Sequence, residues 1–167
     1  MSFEIDICSR QDSLSIDVAV LTRAIEHALQ IEQVASAVLS VSIVDHMAMQ
    51  QINRQHLQHD YPTDVISFQL DFAFDDEAPD KAPSELRAAG AMIEGEIIAS
   101  AEMAADMASS GQWTAMNELT LYVIHGLLHI CGYDDLTPGE KSIMRTRECA
   151  ILNALGLHPV YPDDEAS

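Results

Sequence analysis

The segment that most constrains this chain is HGLLHICGYDD, which begins at His125. His129 follows His125 by four positions in an apolar run, so both imidazoles lie on one helix face and can reach one metal ion. Gly132 predicts the end of that helix, because glycine adopts the left-handed conformation common at helix C-termini. The chain then turns back, and a carboxylate at Asp134 or Asp135 can close the site. Three protein ligands with a free fourth position describe a catalytic zinc site rather than a structural one.

Length and composition predict one globular domain, over residues 1–160, followed by a disordered acidic tail at 161–167. No run of about 18 apolar residues is present, which argues against a membrane span. The N-terminus lacks a basic start followed by an apolar stretch, so we expect a cytoplasmic location. Three scattered cysteines without a CxxC pair argue against a disulfide framework.

The charge balance limits how the chain can meet nucleic acid. It carries 27 acidic residues against 8 lysines and arginines, a net charge of −19. Binding to phosphate backbones depends on lysine and arginine, so this chain cannot be a general nucleic-acid coat. Action on RNA therefore requires a local site, with a metal that supplies positive charge or a partner that delivers the substrate.

Hydrophobic periodicity predicts a mixed sheet of about four strands with about five helices packed on it, an α+β arrangement within the broad α/β class. The predicted strands are residues 3–7, 38–44, 63–68 and 94–100, and the predicted helices are 16–34, 46–57, 103–109, 115–131 and 138–155. Thr137 and Pro138 predict the start of the last helix. Residues 71–93, with two prolines and six acids, predict an exposed loop.

The metal segment differs from the peptidase signature HExxH. That signature places a glutamate beside the first histidine as general base. Gly126 occupies this position here, so a peptidase of the ordinary kind would lack its base.

Three segments resemble the YbeY family of bacterial metal-dependent endoribonucleases. HGLLHICGYDD resembles the family signature HGxLHLxGYDH. PTDVISF at residues 62–68, preceded by Ile52-Asn53, is similar to the family's PTDVLSF and its Leu-Asn pair, and Gly95-Glu96-Ile97-Ile98 is similar to its Gly-Asp-Ile element. The order and spacing of these segments follow the family from about residue 36 to 156.

The resemblance implies an α/β sandwich with a metalloprotease-like zinc hydrolase architecture, in which the metal-binding helix is buried behind the sheet. It implies cleavage of single-stranded RNA in 3′-end maturation of 16S ribosomal RNA and in ribosome quality control. The implied partners are the small ribosomal subunit and a basic ribosomal protein or an assembly GTPase. His125 and His129 carry over as zinc ligands.

Two positions depart from the family. Asp135 replaces a histidine ligand, and zinc tolerates this exchange. The carboxylate makes the metal a weaker Lewis acid, and a site of two histidines and a carboxylate also suits Fe²⁺ or Mn²⁺. Leu57 replaces an arginine expected to grip the scissile phosphate. We hypothesise that Arg54, one helical turn earlier, substitutes for it, together with His56 or His59.

Asp64 is retained as a candidate catalytic residue of the cleft, whereas Thr63 has the local bonding role usual in turns. The predicted reaction is metal-assisted phosphodiester hydrolysis. A metal-stabilised ribosome-assembly factor with weak nuclease activity is the alternative, favoured by Leu57 and the acidic charge. A metallopeptidase is disfavoured by Gly126.

Overall fold

The structure is a computed structural model that describes residues 2–57, 63–74 and 85–161. The predicted helix stop at Pro62, the central part of the predicted loop 71–93 and the predicted tail beyond Tyr161 lie outside the described residues.

One mixed sheet and five α-helices make up the described part of the chain. In chain order the elements are β1 (Ser2–Ser9), α1 (Val18–Ile31), β2 (Ser36–Val44), α2 (His46–Ile52), β3 (Val65–Phe74), β4 (Ala91–Ser100), α3 (Ala101–Gly111), α4 (Ala115–Ile130) and α5 (Pro138–Ala154). A π-helical turn, Asn53–Leu57, continues α2. The strand order is β1-β2-β4-β3, with β3 antiparallel to β4 and the other pairs parallel. The predicted α+β fold is confirmed.

The boundaries of the predicted loop 71–93 were wrong at both ends. Residues 71–74 continue β3 and residues 91–93 begin β4, and Phe74 pairs with Ala91. β3 is an edge strand with an irregularity between Gln69 and Asp71, where the acidic residue is exposed. Polar residues on the open side of an edge strand obscure the apolar alternation that marks a strand.

Helix ends follow the local sequence signals. The Thr137 hydroxyl accepts a hydrogen bond from the backbone N–H of Glu140 at 3.2 Å, and Pro138 occupies the first turn. Asp17 caps α1 in the same way through the N–H of Val20, also at 3.2 Å. These side chains satisfy N–H groups that have no partner inside the helix, as predicted for the last helix.

Helix α4 forms the centre of the molecule because two glycines let it lie very close to the sheet. A Cβ added to Gly95 of β4 would stand 2.5 Å from Cδ1 of Ile130, and one added to Gly126 of α4 would stand 3.1 Å from methyl carbons of Ile97 and Val65. Larger side chains here would push the helix from the sheet. The approach of α4 to β3 and β4 therefore depends on residues without side chains.

The sheet is covered on both faces to different extents. On one face, α1 and α4 pack over the main apolar core, while α5 packs on α4. On the other, α2 covers a smaller cluster that includes Met49, Ile66 and Ile98. Within the described ranges, no helix is both long and apolar enough to cross a membrane.

A buried carboxylate joins three elements at the back of α4. Glu32, at the end of α1, is fully buried and accepts hydrogen bonds from the Tyr133 hydroxyl at 2.7 Å and from Arg147 of α5 at 2.5 and 3.0 Å. Burial of an unpaired carboxylate is unfavourable, and the hydrogen bonds from Arg147 and Tyr133 offset the loss of its hydration. This network fixes the turn that follows α4.

Removal of the Arg147 guanidinium should destabilise the fold. We expect Arg147→Met to lower the free energy of unfolding by about 3–5 kcal/mol, because it leaves the Glu32 carboxylate buried without a cation. Urea unfolding followed by circular dichroism measures this change, with Arg10→Met, at an exposed position, as the control. A loss below about 1 kcal/mol, the range of solvent-exposed pairs, would contradict the role given to this pair. The double variant Glu32→Gln/Arg147→Met should recover part of the loss.

Candidate metal centre

The C-terminal half of α4 brings the two predicted histidine ligands together. The Nε2 atoms of His125 and His129 lie 3.2 Å apart. The turn after the helix returns Asp135 to them, with carboxylate oxygens 3.4 Å from Nε2 of His125 and 3.6 Å from Nε2 of His129. Within the described residues these three side chains form a cluster whose ligand atoms all lie within 4.8 Å of one another.

The two aspartates of the turn have different positions. Gly132, with φ of +97°, ends the helix in the left-handed conformation predicted for it. Asp134 then accepts a hydrogen bond from the backbone N–H of Asp135 at 2.8 Å, which stabilises the turn. Of the two carboxylates that the sequence left open, Asp135 is the one that joins the histidines.

Each imidazole is oriented by a hydrogen bond on its other nitrogen. Nδ1 of His125 bonds to the carboxylate of Glu148, a side chain of α5 that is only 2% exposed. Nδ1 of His129 lies 3.2 Å from the backbone carbonyl oxygen of Tyr133. When both Nδ1 atoms donate, both Nε2 atoms turn lone pairs toward Asp135, the arrangement typical of metal-binding histidines.

The donor set fits a divalent metal ion. Three groups that act as acceptors face one point, and a cation satisfies all of them at once. For zinc–nitrogen bonds of about 2.0–2.1 Å, tetrahedral ligands stand about 3.3 Å apart, close to the 3.2–3.6 Å found here. Two histidines and a carboxylate match the ligand sets of catalytic zinc sites, and also suit Fe²⁺ or Mn²⁺.

The two imidazoles respond to their surroundings in opposite directions. Burial lowers the pKa of His125, but its hydrogen bond to Glu148 and the nearby carboxylates outweigh burial, so the pKa is raised. The pKa of His129 is lowered, by burial and then by repulsion from His125. Two protonated imidazoles this close are unfavourable, whereas one metal ion can use both neutral rings.

Two cavities flank the cluster. The first, of about 470 Å³, is lined by Thr63, Asp64, His125 and Asp135, together with side chains of α5. The second, of about 540 Å³, is lined by residues that include Thr63, His129, Asp135 and Leu136. The shared residues place the cluster between the two cavities, where an extended substrate could contact both.

The candidate catalytic residues differ in whether they line the cavities beside the cluster. Asp64 lines the first cavity and accepts a hydrogen bond from the N–H of Val65 at 2.7 Å. Arg54 and Leu57 lie in the π-helical turn, and Arg54 is exposed and does not line either cavity. The ring of His56 packs edge-on against Phe68, and His59 lies outside the described residues.

Sequence reasoning missed the contribution of α5. Glu148 orients His125, and its second oxygen accepts a hydrogen bond from the Tyr161 hydroxyl at 2.7 Å. A signal was present, since Glu148 shares one helix face with Met144 and Ile151, both buried. An acid within an apolar stripe indicates a buried carboxylate with a specific partner.

Comparisons with known proteins identify the family of this chain. A family model described as endoribonuclease YbeY matches residues 6–156. The Salinibacter ruber protein named endoribonuclease YbeY is 37% identical over 155 residues, covering 93% of this chain and 91% of its own length. The Rhodopirellula baltica protein of the same name is 41% identical over 131 residues, which cover 77% of this chain and 59% of that longer relative.

A solved structure supports the fold. The solution structure of TM1509 from Thermotoga maritima superposes with a TM-score of 0.55 at 20% identity, and covers 91% of both chains. At that identity the likeness concerns the fold alone. Because the family model covers nearly all of the described residues and relatives above 30% identity span most of the chain, the protein belongs to the YbeY endoribonuclease family.

Proposed function

We propose that this protein is a zinc-dependent endoribonuclease that cleaves single-stranded RNA. In this proposal it acts in the cytoplasm on the 3′ end of 16S ribosomal RNA and in ribosome quality control, as one domain over residues 1–160. Its partners are the small ribosomal subunit and a basic ribosomal protein or an assembly GTPase. Family membership supports the class of reaction, and the resemblance of the motifs supports the finer assignment.

The observation that carries the proposal is the cluster of His125, His129 and Asp135 between two open cavities. A structural zinc site is closed by four protein ligands, whereas this cluster has three and leaves a position for water or substrate. A metal bound here supplies Lewis acidity toward a phosphate oxygen and lowers the pKa of a bound water. The carboxylate of Asp135 makes that effect weaker than a third neutral histidine would.

The chain's own groups prepare this position. Glu148 and the Tyr133 carbonyl hold the two imidazoles in one tautomer, so that little rearrangement is needed on metal binding. We assign Asp64, in the wall of the first cavity, to orient the attacking water. Arg54 is assigned to the RNA backbone at the edge of the cleft, as the nearest arginine to the position of Leu57 in the sequence.

The metal content of the purified protein tests the ligand assignment. The parent should hold close to one zinc ion per chain, and His129→Ala and Asp135→Ala should lose it, because two ligands do not hold zinc tightly. Asp134→Ala is the matched control and should keep the metal, since Asp134 bonds only to the turn backbone among its described contacts. Plasma emission spectrometry gives these contents. Metal retained by Asp135→Ala but lost by Asp134→Ala would reverse the assignment.

Loss of the glutamate behind His125 should weaken metal binding without abolishing it. We expect Glu148→Gln to reduce zinc affinity by about 10- to 100-fold, the usual effect of changing a group that orients a ligand. Competition with a fluorescent chelator measures the affinity, and Glu140→Gln, on the first turn of the same helix, is the control. An affinity equal to that of the parent would show that Glu148 does not orient the ligand.

RNA cleavage tests the activity and the two assigned residues. The zinc-loaded parent should cleave a single-stranded RNA, and a chelator should stop the reaction. Asp64→Asn is expected to lower kcat by about 100-fold, because an amide replaces a carboxylate oxygen that orients the attacking water, and Arg54→Ala to weaken catalysis by about tenfold. Arg10→Ala has the same charge change as Arg54→Ala and should act like the parent. Full activity in Arg54→Ala or Asp64→Asn would remove that residue from the mechanism.

A second candidate function is a metal-stabilised assembly factor with weak or no nuclease activity. This alternative is favoured by the leucine at position 57 and the net charge of −19, because both reduce the affinity for RNA phosphates. A parent that holds zinc and associates with small subunits, yet does not cleave RNA, would select this alternative.

A further inference from the structure

The shortage of positive charge raises the question of which cations face the substrate. Only 8 lysines and arginines stand against 27 acids. Cleavage of RNA brings a polyanion against the metal cluster, and binding depends on lysine or arginine near its phosphates. Arg54 is exposed in the π-helical turn and does not line either cavity beside the cluster.

Two cations on α5 line the first cavity, next to the metal ligands. Lys141 and Arg145 share this cavity with His125 and Asp135, and both are half-buried. They lie four residues apart, so they occupy one face of the helix, and Glu148 follows on the same face. The face that orients His125 through Glu148 therefore also carries two positive charges toward the cavity.

The position of Arg145 is linked to the metal cluster by a chain of contacts. Its guanidinium carbon lies over the ring of Tyr161, 4.3 Å from the ring centre. The Tyr161 hydroxyl donates to Glu148 at 2.7 Å, and Glu148 bonds Nδ1 of His125. A guanidinium over an aromatic ring is attracted to the ring face, and its N–H groups can still bind an anion.

The carboxylates that line the same cavity already accept hydrogen bonds or belong to the cluster. Glu118 accepts from the indole N–H of Trp113 at 2.5 Å, and Asp64 accepts from the N–H of Val65 at 2.7 Å. Glu148 bonds to Tyr161 and His125, and Asp135 belongs to the metal cluster. A phosphate entering here would meet these negative charges, so positive charge in the cavity is required to offset them.

Within the described residues, no other lysine or arginine lines this cavity. Arg147 binds the buried Glu32, and Arg87 donates to the carbonyl of Gly132 at 2.9 Å. Arg23 lines a separate cavity beside α1. Among the residues described, the cavity at the cluster thus receives its cationic side chains from α5.

We infer that Lys141 and Arg145 form the phosphate-binding wall of the RNA cleft and contact a backbone phosphate on the α5 side of the metal cluster. The inference rests on the proposed function and adds two phosphate contacts inside the cleft to the contact that is assigned to Arg54 at its edge. Arg145 binds a phosphate through two N–H groups and Lys141 adds a mobile point charge. Tyr161 acts as a positioning residue for Arg145.

The salt dependence of RNA binding tests this inference. The probe is a fluorescent 2′-O-methylated single strand, bound to the zinc-loaded protein and checked on a gel for integrity. Lys141→Gln and Arg145→Gln should each weaken binding by about tenfold. Each should also flatten the plot of log Kd against log salt by about 0.7, the contribution of one phosphate contact with single-stranded nucleic acid. Zinc content and thermal midpoint should stay at parent values.

Arg23→Gln is the matched control, because it removes one positive charge at a cavity away from the cluster and should leave the slope unchanged. Tyr161→Leu should weaken RNA binding as much as Arg145→Gln does. Arg145→Lys should have a higher RNA affinity than Arg145→Gln and the same salt slope as the parent. In cleavage assays the Lys141 and Arg145 variants should raise KM more than they lower kcat.

The outcomes separate this inference from the proposed function. A parent that binds and cleaves RNA, with Lys141→Gln and Arg145→Gln matching it in affinity and slope, would overturn the inference and leave the function intact. A slope reduced equally in Arg23→Gln would also overturn it, since the effect would then be general charge. A parent that neither binds nor cleaves RNA would overturn both.

Discussion

The close packing of α4 on the sheet determines where the candidate site lies. Gly95 and Gly126 leave room for the side chains of Ile130, Ile97 and Val65, and the resulting contact buries the apolar face of α4. The carbonyl of Ile130, near the end of that helix, accepts a hydrogen bond from the Gln69 side chain of β3 at 2.9 Å. His125 and His129 sit on the part of α4 that is not covered by the sheet. A rigid, buried helix is a better support for metal ligands than a loop.

The same packing explains why position 126 does not carry a peptidase base. A glutamate there would enter the space of Val65 and Ile97, because this side of the helix faces the sheet and not the cavities. The two histidines have the spacing of HExxH, yet the residue after the first one belongs to the core. A shared histidine spacing therefore does not imply shared chemistry. What matters is whether the residue after the first histidine faces the core or the cavities.

Much of the fold could be predicted from the sequence because its signals are local. Thr137, Pro138 and Gly132 mark helix ends through bonds and conformations within one turn. The pairing of the two histidines also follows from helix geometry. The role of Glu148 could not be found in this way, since its partner lies 23 positions away and is reached only when α5 packs on α4. The strand ends around residues 71–74 and 91–93 were missed because pairing with a neighbouring strand, and not local hydrophobicity, defines them.

Electrostatics explain why a cationic wall belongs inside the cleft and not over the surface. A net charge of −19 repels RNA at long range, and the Asp135 carboxylate makes the cluster less positive than a third histidine would. At physiological salt, screening limits the distance over which surface charges act to about 8–10 Å. Cations inside a cavity are screened less, and their attraction increases as water is excluded. The charges of Lys141 and Arg145 therefore act on a phosphate that has already entered the cavity. They favour binding of RNA that is presented to the cleft at close range over capture of RNA from solution.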